Sequence, residues 1–88
     1  MKTGTELIKE ERKRQIDVEG YNSTHDGFHK PEEFIRAAAS YLLCNLEEYE
    51  EVPWPWGIES WNPKDLERNL IRAGALIAAA LDRIQNNK

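Results

Sequence analysis

The sequence predicts an all-α fold: a compact bundle of about three helices with two long ordered loops, forming one domain over residues 1–88. Three observations predict it. Apolar residues recur at helical steps of three and four in three separate segments. Each segment opens on a helix-start signal. The three tryptophans and two of the four prolines lie between the segments. A chain of this length buries a smaller fraction of its surface than a larger domain does. Subunit contacts are one way to make up the difference, so a homo-oligomer is expected.

The first helix is expected from about Gly4 to Val18. Thr3 and Glu6 stand at capping-box spacing, and Gly20 offers a stop. Its apolar residues are few: Leu7, Ile8 and Ile16, with Val18 at the end. Steps of three and four from Leu7 and Ile8 place Glu11, Arg12 and Gln15 on the inward face. Either long side chains snorkel from a loosely docked helix, or these three line a polar pocket.

The second helix is expected from about Pro31 to Tyr49. Pro31 suits the first helical position, where no N–H is needed. Glu32 and Glu33 complement the positive end of the dipole. Phe34, Ile35, Ala38, Ala39, Tyr41, Leu42 and Leu46 cover more than one stripe, which predicts burial on several sides. That requires a central position in the bundle or a subunit interface.

The third helix is expected from about Pro63 to Ile84, with Asn62 as N-cap and Asp65 in the first turn. Leu66, Leu70, Ala73, Ile77, Ala80 and Ile84 form one stripe, widened by Leu76 and Leu81. Gly74 costs about 1 kcal/mol against alanine in a helix interior. Close approach of another helix is the expected reason for carrying it.

Composition narrows the function classes. The single cysteine, Cys44, allows no internal disulfide, which argues against a disulfide-stapled secreted scaffold. Its apolar neighbours predict a buried structural thiol. The first residues hold no apolar signal segment, and no run reaches the roughly 18 apolar residues of a membrane span. A cytoplasmic protein is expected, with no membrane partner. The net charge of −4 does not favour nucleic acid, which is held by Lys and Arg on phosphates. The basic run Lys9 to Arg14 is interleaved with Glu10 and Glu11 and is expected to be a solvated face with local ion pairs.

The loops concentrate the chemistry. In the first, Gly20 to Lys30, His25, Asp26 and His29 fall within five residues. Imidazole and carboxylate suit zinc, manganese or iron, and Glu33 or Glu11 would add a fourth ligand. The same residues could bind a ligand without metal, or only pin the loop. The second loop, Glu50 to Asn62, carries three tryptophans in eight residues. Trp54, Trp56 and Trp61 are expected to lid a small core, to offer a stacking platform for a planar group, or to do both.

Small helical nucleotide pyrophosphatases of the MazG type hold Mg²⁺ with ExxE on one helix and ExxD on the next, oxygen ligands that suit that ion. Here Glu47 with Glu50, and Glu48 with Glu51, meet the ExxE spacing at the expected end of the second helix. The third helix offers Asp65, Glu67 and Asp82 but no ExxD. No serine, cysteine or lysine nucleophile motif and no glycine-rich phosphate loop is present, and no cofactor is expected.

The chain also resembles a group of small phage and prophage proteins. The shared pattern stands here as Glu11-Arg12-Lys13-Arg14-Gln15-Ile16, Glu19-Gly20-Tyr21, His25-Asp26 with His29, Ala37-Ala38-Ala39, Trp54-Pro55-Trp56, Trp61-Asn62-Pro63 and Ala73-Gly74-Ala75-Leu76-Ile77. It covers nearly the whole chain. Two departures are Tyr21, where tryptophan is commoner, and Gly27, where a second aspartate often follows the His-Asp pair. The resemblance implies a phage origin, and similar segments beside MazG-like domains point towards nucleotides.

The motif residues combine cations, histidines and aromatics, a mixture suited to a phosphorylated, base-bearing ligand. The expected ligand-binding set is Glu11, Arg12, Gln15, Tyr21, His25, Asp26, His29, Trp54, Trp56, Trp61 and Lys64. The favoured expectation is a phage-type protein that sequesters a nucleotide or nucleotide-derived signal and so blunts host defence, without turning it over. The alternatives are a metal-dependent nucleotide phosphohydrolase using His25, Asp26, His29 and a glutamate, and a protein-interaction module whose exposed tryptophans are the hot spots.

Overall fold

The computed structural model describes residues 1–19 and 30–86 of the chain. The fold is all-helical, as predicted. Helix α1 spans Gly4–Glu19, α2 spans Pro31–Leu43 and α3 spans Leu66–Asn86, with a 3₁₀ turn at Ile58–Ser60. No strand occurs among the described residues, and none of their helices is long and apolar enough to cross a membrane. Gly20, expected to stop α1, lies outside the described residues.

The start of α1 follows the capping-box reading. The Glu6 N–H donates to Thr3 Oγ1 at 3.2 Å, and the Thr3 N–H donates back to Glu6 Oε1 at 3.3 Å. Two of the N–H groups that a helix start leaves open are thereby satisfied. Ion pairs line the solvent side of α1: Lys13 to Asp17 at 2.6 Å and Lys2 to Glu10 at 2.6 Å.

Helix α2 ends at Leu43, six residues before the expected Tyr49. The Asn45 side chain folds back and donates through Nδ2 to the carbonyls of Tyr41 (2.7 Å) and Leu42 (3.2 Å). That capping satisfies acceptors the helix end leaves open. Continuing the helix would also put Glu47, Glu48, Glu50 and Glu51 at the negative end of its dipole. The ExxE pairs therefore lie in the loop and share no helix face.

Helix α3 starts at Leu66, three residues after the expected Pro63. Asp65, not Asn62, is its N-cap: Asp65 Oδ1 accepts the Arg68 N–H at 2.8 Å. Asn69 holds the preceding residue, Lys64, in place. Asn69 Oδ1 accepts the Lys64 N–H at 2.7 Å and its Nδ2 donates to the Lys64 carbonyl at 2.9 Å. The same Nδ2 donates to Asn45 Oδ1 at 2.9 Å. One fully buried amide thus ties the entry of α3 to the exit of α2.

Helix α3, not α2, is central: both α1 and α2 pack on it. The core is built from small residues. Ala37 and Ala38 of α2 meet Ala73, Ala79 and Ala80 of α3, with Phe34, Tyr41 and Leu76 supplying the bulk. Trp54, Trp56 and Trp61 pack against this cluster and extend it, so the lid reading of the loop holds for all three. The Ile8 side chain of α1 packs onto α3 at Gly74, where a Cβ would lie 2.6 Å from Ile8 Cδ1. Close packing is the reason for this glycine. The rest of the expected α3 stripe does not turn inward. Leu66, Leu70, Ile77 and Ile84 are exposed, while Ala73 and Ala80 are buried.

Candidate functional site

The inward face of α1 is polar, as its spacing predicts. Glu11, Arg12 and Gln15 are all buried. They do not form one site. Arg12 turns to α3, where its Nε and Nη2 donate to Asp82 Oδ2 at 3.1 and 3.0 Å. It braces two helices. Glu11 and Gln15 instead reach a cleft of about 280 Å³ between α1, α2, α3 and the tryptophan loop.

Arginines surround Glu11. Arg14, one turn along α1, donates through Nε and Nη2 to its two oxygens at 2.9 and 2.7 Å. Arg68 of α3 donates to the same carboxylate. Burial pushes the Glu11 carboxyl up, but the Arg14 hydrogen bonds and the charges of Arg14, Arg68 and Arg72 outweigh it and hold the group below its ordinary value. Three guanidiniums therefore converge on one ionised carboxylate among the described residues.

Arg72 completes the cationic wall. Its guanidinium lies 5.7 Å from the Tyr41 ring centroid, in cation–π contact. One Nη donates to the Asn62 carbonyl at 2.9 Å. Its Nε is buried and finds no partner, and the same is true of Gln15 Oε1. Both residues line the cleft. Buried polar atoms are normally hydrogen-bonded, and leaving one unmade costs about 1–3 kcal/mol. Two such atoms, one donor and one acceptor, therefore favour a polar occupant.

The opposite wall is aromatic. Trp54 and Trp56 both line the cleft, their rings 5.2 Å apart and nearly perpendicular. Tyr41 packs edge-on to Trp54 at 5.5 Å. The loop is held by its own indoles. Trp54 Nε1 donates to the Gly57 carbonyl and Ser60 Oγ, each at 3.2 Å. Trp56 Nε1 donates to Glu33 Oε1 at 3.1 Å. Trp61 packs against Trp54 and Tyr41 at 4.8 and 4.9 Å as part of the lid and is not in the cleft lining. The same two tryptophans, Trp54 and Trp56, thus serve as both lid and cleft wall.

Several expected site residues fall elsewhere. Lys64 meets the protein through its backbone, and its side chain is outside the cleft lining. Tyr21, His25, Asp26 and His29 lie outside the described residues. Glu33, offered as a fourth metal ligand, is engaged by Trp56 and by the Lys30 N–H, which donates to its Oε2 at 2.7 Å. No group of three metal-ligating side chains occurs among the described residues. Cys44, expected to be buried, is only half-buried, and desolvation raises its thiol pKa.

Sequence spacing missed Tyr41, Ser60, Asn62 and Arg72 as cleft residues, whereas Arg14, one of the motif cations, does line the cleft. Arg14 sits within the basic run of α1, and Arg72 is an isolated cation beside the apolar stripe of α3. No family model, no curated protein and no solved structure gives a significant match to the chain.

Proposed function

We propose that this protein binds a small, anionic, base-bearing molecule in the cleft between α1, α3 and the tryptophan loop, and holds it without turnover. The observation that carries the reading is the pairing of two buried, unpartnered polar atoms, Gln15 Oε1 and Arg72 Nε, with an indole wall. Guanidinium groups suit phosphate oxygens through paired, directional donors. Trp54 and Trp56 offer faces and edges to a base, whose stacking contributes about 1–3 kcal/mol. The Gln15 acceptor favours a base with an exocyclic amine. The cleft volume lies near the lower end of the range of small-molecule sites, about 300–1,000 Å³, so part of a nucleotide would project from its mouth.

The described cleft holds no nucleophile–base pair, and its one carboxylate is neutralised by arginines, which favours retention over hydrolysis. Together with the phage-type pattern, this supports a sequestering protein for a nucleotide-derived signal. The test is thermal melting with a panel of linear and cyclic nucleotides and ADP-ribose isomers, in EDTA. A ligand at a hundred times its dissociation constant adds nearly 3 kcal/mol to stability (about 2.7). The expected result is a clear upward shift for at least one amine-bearing nucleotide, with the ligand recovered unchanged after denaturation. The Gln15→Leu variant should lose that shift while remaining folded. Absence of any shift across the panel overturns the proposal.

A further inference from the structure

We infer that the cleft is a nucleobase pocket: the base of the ligand enters and pairs with Gln15 and Arg72, while the phosphate stays outside, so that a nucleoside without phosphate is already a ligand. This rests on the proposed nucleotide-type ligand and assigns which part of it the cleft holds. The cleft encloses about 280 Å³. That falls just short of the range for small-molecule sites, about 300–1,000 Å³. It therefore takes one part of a nucleotide and leaves another in solvent.

The open polar atoms select that part. Among the described residues lining the cleft, one buried donor, Arg72 Nε, and one buried acceptor, Gln15 Oε1, lack a partner. An ionised phosphate presents acceptor oxygens and cannot satisfy Gln15. A base carries N–H donors beside ring or carbonyl acceptors on one edge, so it can meet both atoms. Charge points the same way. The Glu11 carboxylate lines the same cleft and is held ionised by Arg14 and Arg68. A phosphate drawn inside would set a second anion against it, where water screens the repulsion less. A neutral base meets no such repulsion.

The aromatic wall suits a planar, uncharged group. Both indole N–H groups are already committed, Trp54 to the Gly57 carbonyl and Ser60, and Trp56 to Glu33. The two tryptophans therefore offer the cleft ring surface, which stacks with a base and gives a phosphate no donor. Arg72 is steadied for a directional bond. Its guanidinium lies against the Tyr41 ring, and one Nη donates to the Asn62 carbonyl at 2.9 Å. Arg14 and Arg68 keep about a third of their side chains in water and are the cations that face a projecting phosphate. Both are already paired with Glu11, so they attract it weakly.

The test is thermal melting and calorimetric titration of the full chain with adenosine, cytidine and guanosine, their 5′-monophosphates, ribose 5-phosphate and inorganic phosphate. At least one nucleoside should raise the melting temperature, while ribose 5-phosphate and inorganic phosphate should not. Its monophosphate should bind no more than about tenfold more tightly, the scale of solvent-screened ion pairs. That gap should close between about 0.1 M and about 1 M salt, as the Debye length falls from about 10 Å to about 3 Å. Gln15→Leu, verified as folded by circular dichroism, should lose the nucleoside and the nucleotide together. A nucleotide that binds while the nucleoside of the same base does not overturns the base pocket and leaves the nucleotide reading standing. A phosphate advantage that persists in high salt does the same. No shift with any nucleoside or nucleotide overturns both.

Discussion

The Trp56 indole N–H donates to the Glu33 carboxylate at 3.1 Å, and this bond fastens the tryptophan loop to the first turn of α2. The other oxygen of Glu33 accepts the Lys30 N–H at 2.7 Å. One carboxylate thus caps a helix and positions a wall of the cleft. Glu33→Ala removes both contacts. A loss of about 1–3 kcal/mol is expected, within the range for a lost cap and a charge-assisted hydrogen bond. Urea denaturation measures it. Tryptophan emission should shift to longer wavelength in the folded variant. An unchanged spectrum would show that Trp56 does not need Glu33 to stay in place.

Glu11 predicts the acid limb of stability. Its folded pKa lies below its ordinary value of 4.5. A depressed carboxyl stabilises the fold above its unfolded pKa, and the contribution disappears as pH falls through the lower, folded value. Native stability should therefore decline as pH drops below about 4.5. Glu11→Gln should be less stable at neutral pH and show a shallower decline in acid. Glu11→Ala at pH 7 should cost about 2–3 kcal/mol. That is less than the 3–5 kcal/mol of a fully buried pair, because Arg14 and Arg68 keep about a third of their side chains in water. Denaturant midpoints across a pH series check both statements.

Asn69 should be among the most sensitive polar positions. Its amide satisfies both backbone groups of Lys64 and reaches Asn45. Asn69→Ala leaves these groups unpaired beside a void. The expected loss is at least 2 kcal/mol, since each orphaned buried group costs about 1–3 kcal/mol. A loss below 1 kcal/mol in chemical denaturation would contradict the tethering role.

Gly74 and Ile8 should be coupled. Alanine at 74 gains about 1 kcal/mol of helix propensity. Its Cβ would stand 2.6 Å from Ile8 Cδ1 and 2.9 Å from Cγ1, so the isoleucine must shift. Gly74→Ala is expected to be neutral or destabilising in the native chain. In an Ile8→Ala background the same change should stabilise, by up to about 1 kcal/mol. A double-mutant cycle reads the change of sign directly.

Local chemistry was the legible part of this chain. The capping pair Thr3 and Glu6, Pro31 opening α2 and the polar inward face of α1 all follow from residue type and spacing. They depend on neighbours within a few positions. The ends of α2 and the start of α3 were less legible. They are held by two asparagine side chains, Asn45 and Asn69, which bond to each other only when the two helices are packed.

The candidate site divides in the same way. The sequence could place Glu11, Arg12 and Gln15 on one face of a helix, but Gln15 entered the cleft with Glu11 while Arg12 turned away to Asp82. Periodicity also marked the stripe from Leu66 to Ile84 without saying which side another helix would cover. By itself the sequence determined helix content, the cap of α1 and the polarity of each face. Tertiary structure alone decided that alanines fill the core while the larger aliphatics stand outside, and that Arg14, Arg68 and Arg72 gather around one carboxylate. The physical reason is that periodicity reports an angle around one helix axis, whereas a contact depends on which neighbouring helix lies at that angle.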